Sequence, residues 1–193
     1  MKKTALIFAL SSFMVCAAQA TTPYIGIKTG ATRLINNPSD SARQADTKMF
    51  GSAVFGYRLD SILKGLAVDA EYTYRPDVSG NSNIGHAEFR NQSLMLNAYY
   101  DLPISDCRIK PYVNFGAGFS QNRRTVASDT SYDKKRAHQF TYTLGGGVRI
   151  INLFVKTDAL IGARYVDAGD MHVAGEKVDF RSKEIYFGLN YKF

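Results

Sequence analysis

Eight stretches of the chain, 24–34, 48–59, 66–76, 89–101, 109–120, 139–150, 153–166 and 182–193, alternate between apolar and polar residues with a period of two. That period places successive side chains on opposite faces of a β-strand. The last stretch is the clearest. Ile185, Phe187, Leu189, Tyr191 and Phe193 fall on one face, and Glu184, Tyr186, Gly188, Asn190 and Lys192 on the other. In the third, Leu66, Val68, Ala70, Tyr72 and Tyr74 oppose Asp69, Glu71, Thr73 and Arg75. In the fifth, Val113, Phe115, Ala117 and Phe119 oppose Asn114, Gly116, Gly118 and Ser120. Each stretch reaches the roughly 9–11 residues that a tilted strand needs to cross a bilayer. The connections alternate as well. Those at 60–65, 102–108 and 151–152 are short; those at 35–47, 77–88, 121–138 and 167–181 are long and polar. An even strand count, short turns on one rim and long loops on the other predict an all-β, eight-stranded antiparallel up-and-down barrel that crosses a membrane. Both chain ends then lie on the short-turn, periplasmic rim.

Alternation does not say which face points inward. A soluble, ligand-carrying barrel would turn its apolar face in. Glycine placement argues for the opposite. Gly26, Gly30, Gly56, Gly116, Gly118, Gly145, Gly147, Gly162 and Gly188 all share the polar face, and only Gly51 and Gly146 break the pattern within strands. An eight-stranded barrel is just wide enough inside for side chains, so glycines there make room for long charged ones. On a wet exterior they would weaken the strands without a packing reason. The aliphatic and aromatic face therefore meets lipid. Tyr57, Tyr72, Tyr74, Tyr100, Tyr142 and Tyr165 lie on it, as interfacial girdles require. The polar face becomes a lumen holding Arg58, Asp69, Glu71, Arg75, Arg149, Lys156, Asp158, Arg164, Glu184 and Lys192. Buried charges must pair. Register counting places Arg164 diagonal to Glu184 and Arg58 near Asp69, with Lys156 and Asp158 neighbours on one face. The expectation is a salt-bridge core that plugs the barrel.

Composition agrees with one domain of 193 residues. Mean hydropathy is −0.20. No apolar run is long enough for a helical span, whereas a barrel distributes its hydrophobicity over alternate positions. The N-terminus reads as a leader. Lys2 and Lys3 are followed by the apolar residues 5–15 and by Ala18-Gln19-Ala20, which predicts cleavage after Ala20 and domains at 1–20 (signal peptide) and 21–193 (barrel). Removing Lys2 and Lys3 leaves 22 Lys and Arg against 17 Asp and Glu, a mature charge of +5. Cys16 goes with the leader, and Cys107 remains as an unpaired thiol in a turn.

Several segments carry a family resemblance: Tyr24-Ile25-Gly26-Ile27-Lys28-Thr29-Gly30, Lys110-Pro111-Tyr112-Val113-Asn114-Phe115-Gly116-Ala117-Gly118, Gly145-Gly146-Gly147-Val148, Gly162-Ala163-Arg164-Tyr165 and the terminal Asn190-Tyr191-Lys192-Phe193. Over the whole mature chain the sequence resembles the small eight-stranded outer-membrane barrels of the opacity and outer-membrane β-barrel family, relatives in shape of the OmpA transmembrane domain. The resemblance implies a bacterial outer-membrane location. It also implies that Phe193, with Tyr191, Leu189 and Phe187, is read by the barrel-assembly machinery.

The chemistry on offer is thin. His86, His138 and His172 map to three different loops without close ligand spacing, so no metal site is expected. A lipid A deacylase on this architecture would need a Ser two residues from a His on the lipid face, and His138-Gln139-Phe140 lacks it. No nucleophile motif is present. The sequence predicts no enzyme, no cofactor and no nucleic-acid partner. In the third loop Arg123, Arg124, Lys134, Lys135 and Arg136 face only Asp129 and Asp133. Such a cluster suits lipopolysaccharide phosphates or an anionic host polymer. The fourth loop carries Asp167, Asp170, Glu176 and Asp179 against Lys177 and Arg181 and is a candidate to pair with it. The expectation is a monomeric, non-catalytic barrel that supports the envelope, contacts outer-membrane lipid and lipopolysaccharide, and presents four surface loops for adhesion or host contact. A narrow ion-conducting pore is the alternative, and an enzyme acting on lipid A comes third.

Overall fold

The computed structural model describes residues 22–34, 47–75, 80–82, 85–104, 108–128, 131–173 and 176–193. The expected leader with its cleavage at Ala20, Cys16, Cys107 and most of the first long loop lie outside them. The described strands are β1 (Thr22–Leu34), β2 (Thr47–Arg58), β3 (Leu66–Arg75), β4 (Gly80–Ser82), β5 (Gly85–Asp101), β6 (Ile109–Ser128), β7 (Ser131–Phe154), β8 (Thr157–Val173) and β9 (Glu176–Lys192). β4 is a three-residue piece paired with β5. The other eight strands pair antiparallel in chain order, β3 with β5 and finally β9 with β1, which closes the barrel. Closure removes every free edge from the wall, so backbone groups find partners without water.

Burial follows the alternation and inverts the arrangement of a soluble protein. Ile27, Leu96, Phe119, Phe140, Leu144 and Ile185 are exposed on the outside, whereas Lys28, Glu71, Asn97, Arg149, Arg164 and Glu184 are buried. The glycines of the polar face behave as the sequence predicts. A Cβ on Gly162 would come within 2.8 Å of Tyr186 Cζ, and one on Gly147 within 2.8 Å of the Tyr112 hydroxyl. Gly51, on the outer face, would meet nothing within 4 Å.

Two sequence expectations are corrected. Much of the second, third and fourth long loops is strand: β4 and the start of β5 at Gly85 lie in the second. β6 and β7 continue their ladder up to the pair Ser128 and Ser131, and β8 and β9 up to Val173 and Glu176. The polarity alternation of the sequence fades there while the backbone ladder continues. His86, His138 and His172 accordingly lie in β5, β7 and β8 rather than in loops. The third short turn also moves. It lies at Val155-Lys156, between the paired Phe154 and Thr157, and the register shifts between Ile150 and Phe154. Asn152 (φ 50°) and Lys156 (φ 57°) supply the left-handed conformations that the bulge and the turn require.

Candidate functional site

The lumen is filled by an ion-pair network with Glu71 at its centre. Glu71 lies on β3, and its partners reach it inside the lumen from β1, β5 and β8 as well as from β3 itself. Lys28 Nζ on β1 donates to Glu71 Oε2 at 2.7 Å. Arg164 on β8 donates through Nη1 to Oε2 at 3.0 Å and through Nη2 to Oε1 at 2.9 Å, a bidentate grip. Thr73 Oγ1 and Asn97 Nδ2 complete the carboxylate's shell at 3.0 and 3.1 Å. Arg164 Nε also donates to Glu184 Oε2 at 2.7 Å, and Arg75 Nε holds Glu184 Oε1 at 2.8 Å. A second group lies nearer the short-turn rim. Asp101 accepts from Arg149 Nε at 2.9 Å and from Arg58 Nη2 at 3.1 Å, and Asp158 accepts from Lys192 Nζ at 2.8 Å.

Aromatic rings pack between these layers. Tyr24, Tyr99, Tyr112, Tyr186 and Phe50 are all buried in the lumen. Lys28 Nζ lies 5.1 Å from the Tyr99 ring centre, and the Arg164 guanidinium 5.3 Å from that of Tyr186. Cation–π contacts of this kind stabilise a desolvated cation without an anion. The Tyr24 hydroxyl donates to Asp69 Oδ2 at 3.2 Å, and the hydroxyls of Tyr112 and Tyr186 are bonded at 2.8 Å. Each buried charge is thus met by an opposite charge, a hydroxyl or a ring, which is what burial demands.

The structure distributes the sequence candidates as follows. Asp69, Glu71, Arg149, Asp158, Arg164 and Glu184 are buried in the lumen. Arg164 and Glu184 are directly opposite in the β8–β9 ladder rather than diagonal. Arg58 does not pair with Asp69. It holds Asp60 and Asp101, because it lies at the end of β2 and its guanidinium reaches the rim. Lys28 takes Asp69 instead, at 3.6 Å. Lys156 is not in the lumen and does not neighbour Asp158 on one face: the displaced turn leaves it exposed. Asp167 of the expected fourth loop is a β8 residue that accepts from the Tyr142 hydroxyl at 2.9 Å and pairs with Arg181 at 3.3 Å. Lys28 and Asp101 were missed as members of the network. Both were legible: Lys28 shares the parity of Gly26 and Gly30, and Asp101 that of Asn97 and Tyr99.

Two further features lie on the rims. At the long-hairpin end, the ladder sets Arg123 opposite Arg136, Arg124 opposite Lys135 and Thr125 opposite Lys134. Arg90 of β5 is opposite Arg123, so three arginines share one cross-strand row. At the other end Phe187, Tyr191 and Phe193 are exposed and Leu189 half-buried, all on the outer face of β9, and the Tyr191 and Phe193 rings meet edge to face with centres 5.6 Å apart.

Comparison with known proteins follows this geometry. Residues 4–193 match the model of a family described as outer membrane protein beta-barrel domain. No curated protein matches the chain. Among solved structures it is similar to Neisserial surface protein A, with 21% identity and a TM-score of 0.65 over 91% of this chain and 100% of that one. The attachment invasion locus protein of Yersinia pestis is similar at 14% identity and a TM-score of 0.55, over 91% of this chain and 100% of that one. That protein has also been solved in complex with the heparin analogue sucrose octasulfate. A major outer membrane protein from Thermus thermophilus is similar at 11% identity and a TM-score of 0.56, over 89% of this chain and 99% of that one. At these identities the likeness is one of fold.

Proposed function

We propose a non-catalytic role for this chain, which belongs to the outer membrane protein beta-barrel domain family and lies in the bacterial outer membrane: it braces the envelope and presents charged β-hairpins for contact with surface polyanions. The observation that carries this reading is the filled lumen. Asp69, Glu71, Asp101 and Glu184 are each held by a cation of the wall, so none is left to work on a substrate. With the interior sealed, interaction falls to the rims. The basic β6–β7 ladder, Arg123, Arg124, Lys134, Lys135 and Arg136, with Arg90 beside it, suits the sulfate or phosphate groups of heparin-like polymers and lipopolysaccharide. Sucrose octasulfate, bound by the Yersinia pestis protein, is a ligand of that chemistry. Phe193, with Tyr191, Leu189 and Phe187, serves as the signal read by the barrel-assembly machinery. The chain works as a monomer.

The test is binding of the folded barrel to immobilised heparin and to lipopolysaccharide. Replacing the five basic residues of the β6–β7 hairpin with glutamine is expected to weaken binding at least roughly tenfold, and added salt should mimic the effect. Equal binding by the variant and the parent would remove this reading.

A further inference from the structure

The periplasmic rim encloses a cup of about 1700 Å³ between its short turns. We propose that this cup seats the headgroup of an anionic phospholipid from the adjacent leaflet, whose acyl chains then lie over the apolar turns. Three observations meet there.

The first is charge. Arg58, Lys64, Lys110, Lys156 and Lys192 line the cup against the side chains of Asp60, Asp101 and Asp158. Arg58 is held by Asp60 and Asp101, and Lys192 by Asp158. Arg149 adds another cation behind Asp101. Lys64, Lys110 and Lys156 are therefore in excess.

The second is an unspent donor. Nη1 of Arg58, a residue of the cup's lining, is buried without a hydrogen-bond partner. A buried donor left so is costly, and a phosphate oxygen is the acceptor that a guanidinium matches best.

The third observation selects a lipid over a soluble anion. Leu63, Leu153, Phe154 and Val155 form the lip of the cup and are exposed. The same rim exposes Ile62 and Ile104. These side chains continue the lipid-facing band through Ile109, Tyr191 and Phe193. A free phosphate would use the cations alone. Only an amphiphile uses both the cations and the lip.

Native mass spectrometry of the folded barrel, with equal amounts of phosphatidylglycerol and phosphatidylcholine added in detergent, tests this. One phosphatidylglycerol should be retained in preference. Lys64→Gln, Lys110→Gln and Lys156→Gln should each weaken retention about fivefold, the effect of one lysine near an anionic leaflet. Lys183→Gln, on the outer face near the opposite end, should leave it unchanged. A heat-modifiable band on gel electrophoresis verifies that each variant is folded. Equal retention of the two lipids would overturn the proposal. Displacement of phosphatidylglycerol by millimolar inorganic phosphate would also overturn it, in favour of a site for a soluble anion.

Discussion

Glu71 decides more than any other residue in the lumen. Two cations, a hydroxyl and an amide converge on one carboxylate that is fully buried. Its removal leaves Lys28 with one carboxylate, Asp69 at 3.6 Å, and Arg164 with one, Glu184. Glu71→Ala is therefore expected to cost about 3–5 kcal/mol in urea unfolding, as for other broken buried pairs. Lys192 reaches Asp158 from a partly open site on the rim, and the Asn152 amide also holds that buried carboxylate, so Lys192→Ala should cost less, about 1–3 kcal/mol. Equal losses in the two variants would mean that the lumen is wet and its pairs are screened. Glycine makes the complementary case. Gly162→Val pushes a side chain into the Tyr186 ring and should cost about 1–3 kcal/mol or prevent folding. Gly51→Val points into open space and should be tolerated. The fraction of protein running as a heat-modifiable folded band reads both.

At the scale of elements, strand and turn obey different rules inside and outside the membrane. Within it, one face must be apolar, so a strand is written into the sequence as strict alternation. Above it, β6 and β7 run on through Arg123, Arg124, Lys134 and Lys135 because the ladder supplies hydrogen bonds whatever the side chains are. The periplasmic turns are held locally. In the β2–β3 turn, Leu59 N–H donates to Leu66 C=O at 2.8 Å, and Gly65, at φ 89°, donates its N–H to Asp60 Oδ1 at 2.8 Å. Partial burial pushes the Asp60 carboxyl up, but hydrogen bonds from Arg58 and the Gly65 amide outweigh it and hold it below its ordinary value of 3.8. A carboxylate depressed in the folded state contributes stability that is present above its unfolded value and lost as pH falls through its folded value. The stability gap between the parent and Asp60→Asn should therefore be constant at neutral pH and close below 3.8. Urea midpoints measured across that range check it. A gap independent of pH would show that the turn relies on shape and not on the ion pair.

The whole molecule is a closed cylinder whose inside is bonded to itself. The ion pairs at Asp101 and those at Glu71 and Glu184 occupy successive levels of the lumen, with the rings of Tyr99, Tyr112 and Tyr186 between them. An ion entering would have to break contacts that each replace a hydration shell. The barrel is expected to give no steady conductance in planar bilayers. Persistent single-channel openings would return the pore reading to first place. Closure also explains why no wall strand offers an edge to a neighbour, and why the rims are where partners meet the barrel.

Fold class, strand number and lumen face were legible in the residues, for one physical reason. A barrel one strand thick has an inside and an outside of opposite polarity, so every second residue reports its side. Ile185, Phe187 and Glu184 show this within four positions. Parity cannot say which residues meet across the lumen. That Arg58 turns to the rim and Lys28 takes Asp69 depends on strand stagger and side-chain reach. That Lys156 leaves the lumen depends on a bulge that moves the turn. The end of the β6–β7 ladder could not be read either, because the sequence there lacks the alternation that announces a strand while backbone hydrogen bonds alone carry the pairing. Sequence alone determined the side of the residues within the regular strands. Only the closed tertiary structure decided its partner, since pairing across the lumen joins residues as far apart as Arg75 and Glu184.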